Sequence, residues 1–239
     1  MEKKTIAVIG ASGGIGREIV GQLIEEGYEI IAVDKDPGVK ELEGGGITGL
    51  NLDLRSTAAY GRIENELAKR EALYGVIFAA GIMIPGKVEE VRMEDWESTM
   101  EVNLTSVFRL TQLMLPYLLK NKVSHVITLA SHVGVVGSYE LTAYSTSKAA
   151  LIEFTKCLAL DYGGQGLMAN SISPGFIKTD MLSVAMKRFA VNKQWMFSVG
   201  GLPKQYVDVA DVVRVVSLLL KQQSMNGENV IIDAGYTVR

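Results

Sequence analysis

The stretch AYSTSKAAL, residues 143–151, sets Tyr144 and Lys148 four apart among small residues. On a helix that spacing puts a phenol and an ammonium on one face, within reach of each other. A free tyrosine has a pKa of about 10 and is a poor base near neutrality. A cation beside it favours the phenolate, so the pair is suited to taking up and releasing a proton. A lysine laid along an ordinary helix face has the same spacing, so the pair alone decides nothing. Two further polar residues stand upstream. Ser131 lies thirteen residues before Tyr144, and Asn103 lies in VNL. Singly, Ser131 could end a strand and Asn103 could cap or turn a helix.

The elements that carry these residues alternate in type. Short β-branched runs fall at 5–10, 28–34, 46–54, 74–81, 125–131, 167–175 and 229–235. Several are almost continuously apolar, as strands buried on both faces of a parallel sheet are. Helical patterns lie between them at 14–26, 57–71, 93–120 (one helix or two), 143–163 and 208–222, and one irregular segment covers 178–205. This order predicts an α/β domain, a doubly wound, Rossmann-like parallel sheet with helices on both faces. No linker or repeat interrupts it, so 1–239 is expected to form one domain.

In such a sheet ligands bind at the carboxyl ends of the strands. The first strand ends in GASGGIG, which places Gly10, Gly14 and Gly16 in the turn into the first helix. Glycines there permit a tight turn and a close approach of backbone to a pyrophosphate at the helix N-terminus. The second strand ends in Asp34, eighteen residues beyond Gly16. A carboxylate there accepts hydrogen bonds from ribose hydroxyls and repels a 2′-phosphate, so NAD is the expected cofactor. Asp53 follows the third strand and suits either an adenine contact or a turn. Small residues at Ala79, Ala80 and Gly81 would let a flat cofactor lie against the fourth, and Pro174–Gly175 closes the sixth.

Taken together, GASGGIG, Asp34, Asp53, AAG, VNL, LAS with Ser131, YSTSK and SPGFIKTD resemble, over nearly the full length, the short-chain dehydrogenase/reductase family. One departure is FAAG, where that family usually has two asparagines, so Ala79 lacks a side chain that braces the site. The resemblance implies seven parallel strands and a nicotinamide cofactor. It casts Tyr144 as general acid–base and Lys148 as the cation that lowers its pKa and holds the nicotinamide ribose. Ser131 would bond the substrate oxygen, Asn103 would anchor a relay water, and Thr179 would meet the carboxamide. It also puts Ser12, Ile15, Leu54 and Ile177 against the cofactor. The implied activity is hydride transfer between NAD and a small alcohol or ketone. Alternatives are a 3-oxoacyl-(acyl-carrier-protein or CoA) reductase, and a non-catalytic nucleotide-binding regulator. The first commonly uses NADPH with a basic residue in the glycine loop, where Gly13 and Gly14 stand here; the second would be expected to have lost part of the Asn–Ser–Tyr–Lys set. A homotetramer or homodimer, built on the helices holding 101–120 and 144–162, is expected.

Composition sets the exclusions. A net charge of −3 gives no reason to expect nucleic acid. No apolar run reaches membrane-spanning length, and MEKKTIAVIG enters a strand without a signal-peptide core. With one cysteine, Cys157, an internal disulfide is impossible, which fits a cytoplasmic protein. No His/Cys cluster has metal-ligand spacing, so no metal is expected. Cys157 is expected to be buried in its helix, and His125 to be ordinary surface. His132 is assigned no chemistry, because its side chain points away from that of Ser131 in an extended chain. Segment 180–207 is expected to form a lid over the substrate. From 181 to 207 it holds four basic residues and no acidic one, which suits an anionic substrate group or simply a solvated surface.

Overall fold

The computed structural model describes residues 3–187 and 206–238. Seven strands form one parallel sheet in the order β3-β2-β1-β4-β5-β6-β7. They are β1 (Thr5–Ile9), β2 (Glu29–Asp34), β3 (Ile47–Asn51), β4 (Gly75–Phe78), β5 (Ser124–Leu129), β6 (Leu167–Pro174) and β7 (Asn229–Ile232). Among the described residues the α-helices are α1 (Gly14–Glu25), α2 (Thr57–Leu67), α3 (Met93–Met100), α4 (Ser106–Leu118), α5 (Thr142–Tyr162), α6 (Asp180–Met186) and α7 (Val209–Lys221).

Alternation along each strand builds two cores. Ile6 and Val8 of β1 face α1 and α7, where they meet Ile19, Leu23, Val216 and Leu219. Ala7 and Ile9 face the other way, into a layer with Ile63 of α2, Leu110 and Met114 of α4 and Leu151 of α5. Because both faces are covered, the strands read as apolar runs. The strand order reverses between β1 and β4, and the carboxyl ends on either side of that point open a crevice.

Several expectations change. The helical pattern at 93–120 is interrupted by a π-helical turn, Glu101–Thr105, between α3 and α4. Part of the irregular segment is α6, and a 3₁₀ turn covers Pro37–Leu42. His125 is not surface: it lies in β5, 1% exposed, with its ring edge-on to Tyr74 at 5.2 Å. Cys157 is exposed, not buried. Residues 151, 152, 155, 158 and 159 form the buried stripe of α5, and 157 falls on its far side. Most of the expected lid, 188–205 with Phe189, Trp195, Phe197 and Lys193, lies outside the described residues. None of the described helices is long and apolar enough to cross a membrane.

Candidate active site

A cleft of about 780 Å³ runs across the carboxyl ends of β1 to β6. Every cofactor-facing residue expected from the sequence lines it: Gly10, Ser12, Gly14, Ile15 and Gly16 at the first turn; Asp34, Asp53 and Leu54; Ala79, Ala80 and Gly81; and Pro174, Gly175, Ile177 and Thr179. Ser131, Tyr144 and Lys148 line it as well, while Asn103 lies just behind, fully buried.

The glycines differ in what they do. Gly10 has φ +90°, and a Cβ there would stand 2.4 Å from Ala80 N. At Gly16 a Cβ would stand 1.9 Å from Gly10 O. These two are required by the chain's own packing. Gly14 is not: its Cβ would meet only the Thr179 side chain, at 3.5 Å. Its bare backbone instead keeps the N-terminus of α1 open to the cleft. Beside it the Ser12 Oγ is buried with no hydrogen-bond partner among the described residues. An open glycine turn, an unused buried hydroxyl and a helix N-terminus together fit a pyrophosphate.

Asp34 has a task the sequence did not show. One carboxylate oxygen accepts from Ser12 N and the other from Asp36 N, both at 2.9 Å. The residue therefore braces the glycine turn, while its remaining lone pairs are available to a ligand. Asp53 is partly a turn residue. It accepts from the amide and guanidinium of Arg55, and the hydrogen bond from that side chain holds its carboxyl at about 2.

The π-helical turn explains Asn103. The wider turn displaces one residue from helical register, and π-turns recur at functional sites. The Asn103 amide bonds both backbone groups of Ile82, accepting at 2.8 Å and donating at 3.0 Å. It also donates to Ser147 Oγ at 2.9 Å, and that hydroxyl donates to Tyr144 O at 2.7 Å. Ser147 is thus a positioning residue inside YSTSK to which the sequence assigned no role; only the tertiary contact shows it.

Lys148 is 4% exposed. Its Nζ donates to Leu129 O at 2.7 Å, lies 5.7 Å from the Tyr144 ring centroid and borders Gly81. Burial pulls its pKa down to about 8. Tyr144 opens onto the cleft but is enclosed by its neighbours, and burial pushes the phenol up to about 12 against a hydrogen bond with Ser131. That value belongs to the protein without cofactor; the expected lowering of Tyr144 calls on Lys148 together with the positive nicotinamide ring. In the protein alone desolvation dominates at Tyr144, and the Lys148 ammonium is turned to a backbone carbonyl.

Geometry and sequence agree with known proteins. The short chain dehydrogenase family model matches residues 4–188. This chain belongs to the short-chain dehydrogenase/reductase family, a family of oxidoreductases. It is similar to 2,3-dihydro-2,3-dihydroxybenzoate dehydrogenase of Bacillus subtilis, 33% identical over 192 residues that cover 76% of this chain and 72% of that one. It is 34% identical over 188 residues to 3-oxoacyl-(acyl-carrier-protein) reductase FabG of Escherichia coli, covering 75% of this chain and 76% of the relative. Among solved structures, 4-hydroxyisoleucine dehydrogenase complexed with NADH superposes with a TM-score of 0.86 at 26% identity, covering 99% of this chain and all of that one. As a short-chain dehydrogenase the protein departs from the family motif at Ala79, whose amide still holds the ladder to Ile9 O at 2.8 Å. The site is instead braced from Asn103 through Ile82.

Proposed function

We propose that this protein is an NAD-dependent dehydrogenase or reductase of alcohols and ketones, with Tyr144 as its general acid–base. The carrying observation is that Tyr144, Ser131 and Lys148 line one cleft together with a glycine turn braced by Asp34. A bound nicotinamide supplies or accepts the hydride and, when oxidised, brings a positive charge beside the phenol. Ser131 holds the substrate oxygen next to the Tyr144 hydroxyl. Tyr144 gives its proton to a carbonyl oxygen or takes one from an alcohol. Lys148 fixes the ribose side and keeps a cation near the phenol. Asn103 holds the Ile82 loop against α5 and has acceptor capacity left on Oδ1 for a relay water. Thr179 caps α6 and presents its side chain over Gly14, where the carboxamide would lie. Ile15, Ile177 and Leu54 give the apolar walls.

A second reading, reduction of a 3-oxoacyl thioester, is supported by the FabG relative and separated from the first by substrate and cofactor choice. A turnover screen of alcohols, ketones and a 3-oxoacyl thioester with both nicotinamides distinguishes them. No turnover of any carbonyl or alcohol, together with no NADH binding, contradicts both.

Asp34 gives a directed test. NAD should be preferred in the native chain, and Asp34→Ala should narrow the preference by about 1–3 kcal/mol, the scale of a lost charged hydrogen bond. The same change should weaken binding of both cofactors, since Ser12 N and Asp36 N lose their acceptor. Equal kcat/KM with NAD and NADP in the native protein would contradict the assignment. Oligomerisation is supported by apolar side chains left on α4 and α5. Phe108 of α4 is 47% and Leu160 of α5 84% exposed. Light scattering at micromolar concentration should give a dimer or tetramer mass; a monomer mass would exclude this.

A further inference from the structure

The residue beside Ser131 is as deeply placed as the serine. His132 is 2% exposed, and its Nδ1 lies 3.0 Å from Pro174 O. A carbonyl only accepts, so Nδ1 carries the proton. The position of this bond is informative. The β5–β6 ladder steps along alternate amides, from Ser124 N to Gly166 O up to Ala130 N to Ile172 O at 2.8 Å. The next donor in that series would be the amide of residue 132 and the next acceptor Pro174 O. There the chain leaves the sheet in a 3₁₀ turn, His132–Gly134, closed by Gly134 N to Ser131 O at 2.9 Å. The histidine side chain reaches the carbonyl in place of the backbone.

The imidazole is also boxed by two rings. Phe176 stands edge-on at 4.8 Å and Tyr236 at 4.6 Å. Tyr236 comes from the turn after β7, where the Asp233 carboxylate accepts from Gly235 N at 2.8 Å and Thr237 N at 2.7 Å. The C-terminal turn thereby supports one wall of the cleft through His132.

We propose that His132 is a positioning residue for Ser131: it extends the β5–β6 ladder through its side chain while the backbone turns to aim the serine at Tyr144, and Tyr236 holds it there. Its effect on catalysis rests on the proposed function; its geometry does not. NMR of the ligand-free protein should therefore show His132 with the proton on Nδ1, and hydrogen exchange should be slow at Val133 and Gly134. In His132→Ala, kcat should fall about 10- to 100-fold, the scale of a misplaced reacting group, while NADH affinity changes much less. His132→Asn puts an amide donor where Nδ1 stood and should recover most of the loss. Should the alanine variant fail to fold, Tyr236→Ala carries the same test, with faster exchange at 132–134 and a lower kcat at similar NADH affinity. The proposal is overturned by an Nε2-protonated His132, by normal kcat in folded His132→Ala, or by His132→Asn behaving no better than His132→Ala. It is equally overturned if Tyr236→Ala leaves exchange at 132–134 unchanged. If no substrate is ever turned over, the NMR and exchange results still decide the geometry, so the two readings fail separately.

Discussion

Tyr144→Phe should reduce turnover by roughly 10²–10⁴-fold while NADH still binds, because the substitution keeps the ring and removes the hydroxyl that carries the proton. With its pKa near 12 the phenol is neutral across the working range, the form that donates to a carbonyl oxygen. Alcohol oxidation needs the phenolate, so it requires a positive charge in addition to that of Lys148. Oxidation should therefore rise with pH through the titration of Tyr144 in the cofactor complex, and reduction should fall through the same titration. Lys148→Ala should move both profiles to higher pH, since it removes the resident cation, and should weaken cofactor binding as well. Steady-state kinetics in both directions, alongside NADH titration of each variant, check this. Near-native turnover by Tyr144→Phe would reduce the Tyr144/Lys148 pair to a helix face.

The second large effect is on stability. His125 lies in β5 with neither ring nitrogen hydrogen-bonded among the described residues, against Tyr74 and near the Lys4 ammonium, which sits 3.8 Å over the Tyr74 ring. Burial, helped by repulsion from Lys4, lowers its pKa from 6.5 to about 4. The imidazole is disfavoured as a cation only in the folded chain. Its neutral form is thus fully tolerated above the unfolded pKa, and stability is lost as pH falls from about 6.5 toward 4. The loss is about 3 kcal/mol over that window. His125→Phe keeps a ring against Tyr74 and removes the titration. Urea unfolding of both proteins across this range should show the native chain losing about 3 kcal/mol more than the variant. Parallel curves would show that His125 is protonated in the fold at little cost.

These residues also show what was legible in the sequence. The glycine turn, Asp34 and the alternation of strands with helices were legible because each rests on local pattern: a β-branched run, a turn and a carboxylate at a fixed distance. The Tyr144/Lys148 pair was legible because one helix fixes its spacing. His125 was misjudged because a polar residue inside an apolar strand gives no sign of which layer covers it. Cys157 was misjudged because one helix face cannot be separated from the other until the buried stripe of α5 is known. The π-helical turn at Asn103, the Ser147 bridge, the second task of Asp34 and the ring box around His132 depend on contacts between distant segments. His132 and Tyr236 are separated by more than a hundred residues, and no periodicity links them. The enclosure of Tyr144 was likewise not legible: spacing shows that a cation is near, but only the fold shows how far the phenol is desolvated.

The most direct test of the account is an ultraviolet difference titration of the native protein against Tyr144→Phe, with and without saturating NAD⁺. The account predicts no Tyr144 phenolate signal in the free protein until the pH approaches about 12. With NAD⁺ bound, the signal should appear several pH units lower, where a general base is of use. A Tyr144 titration that is the same with and without NAD⁺ would contradict it.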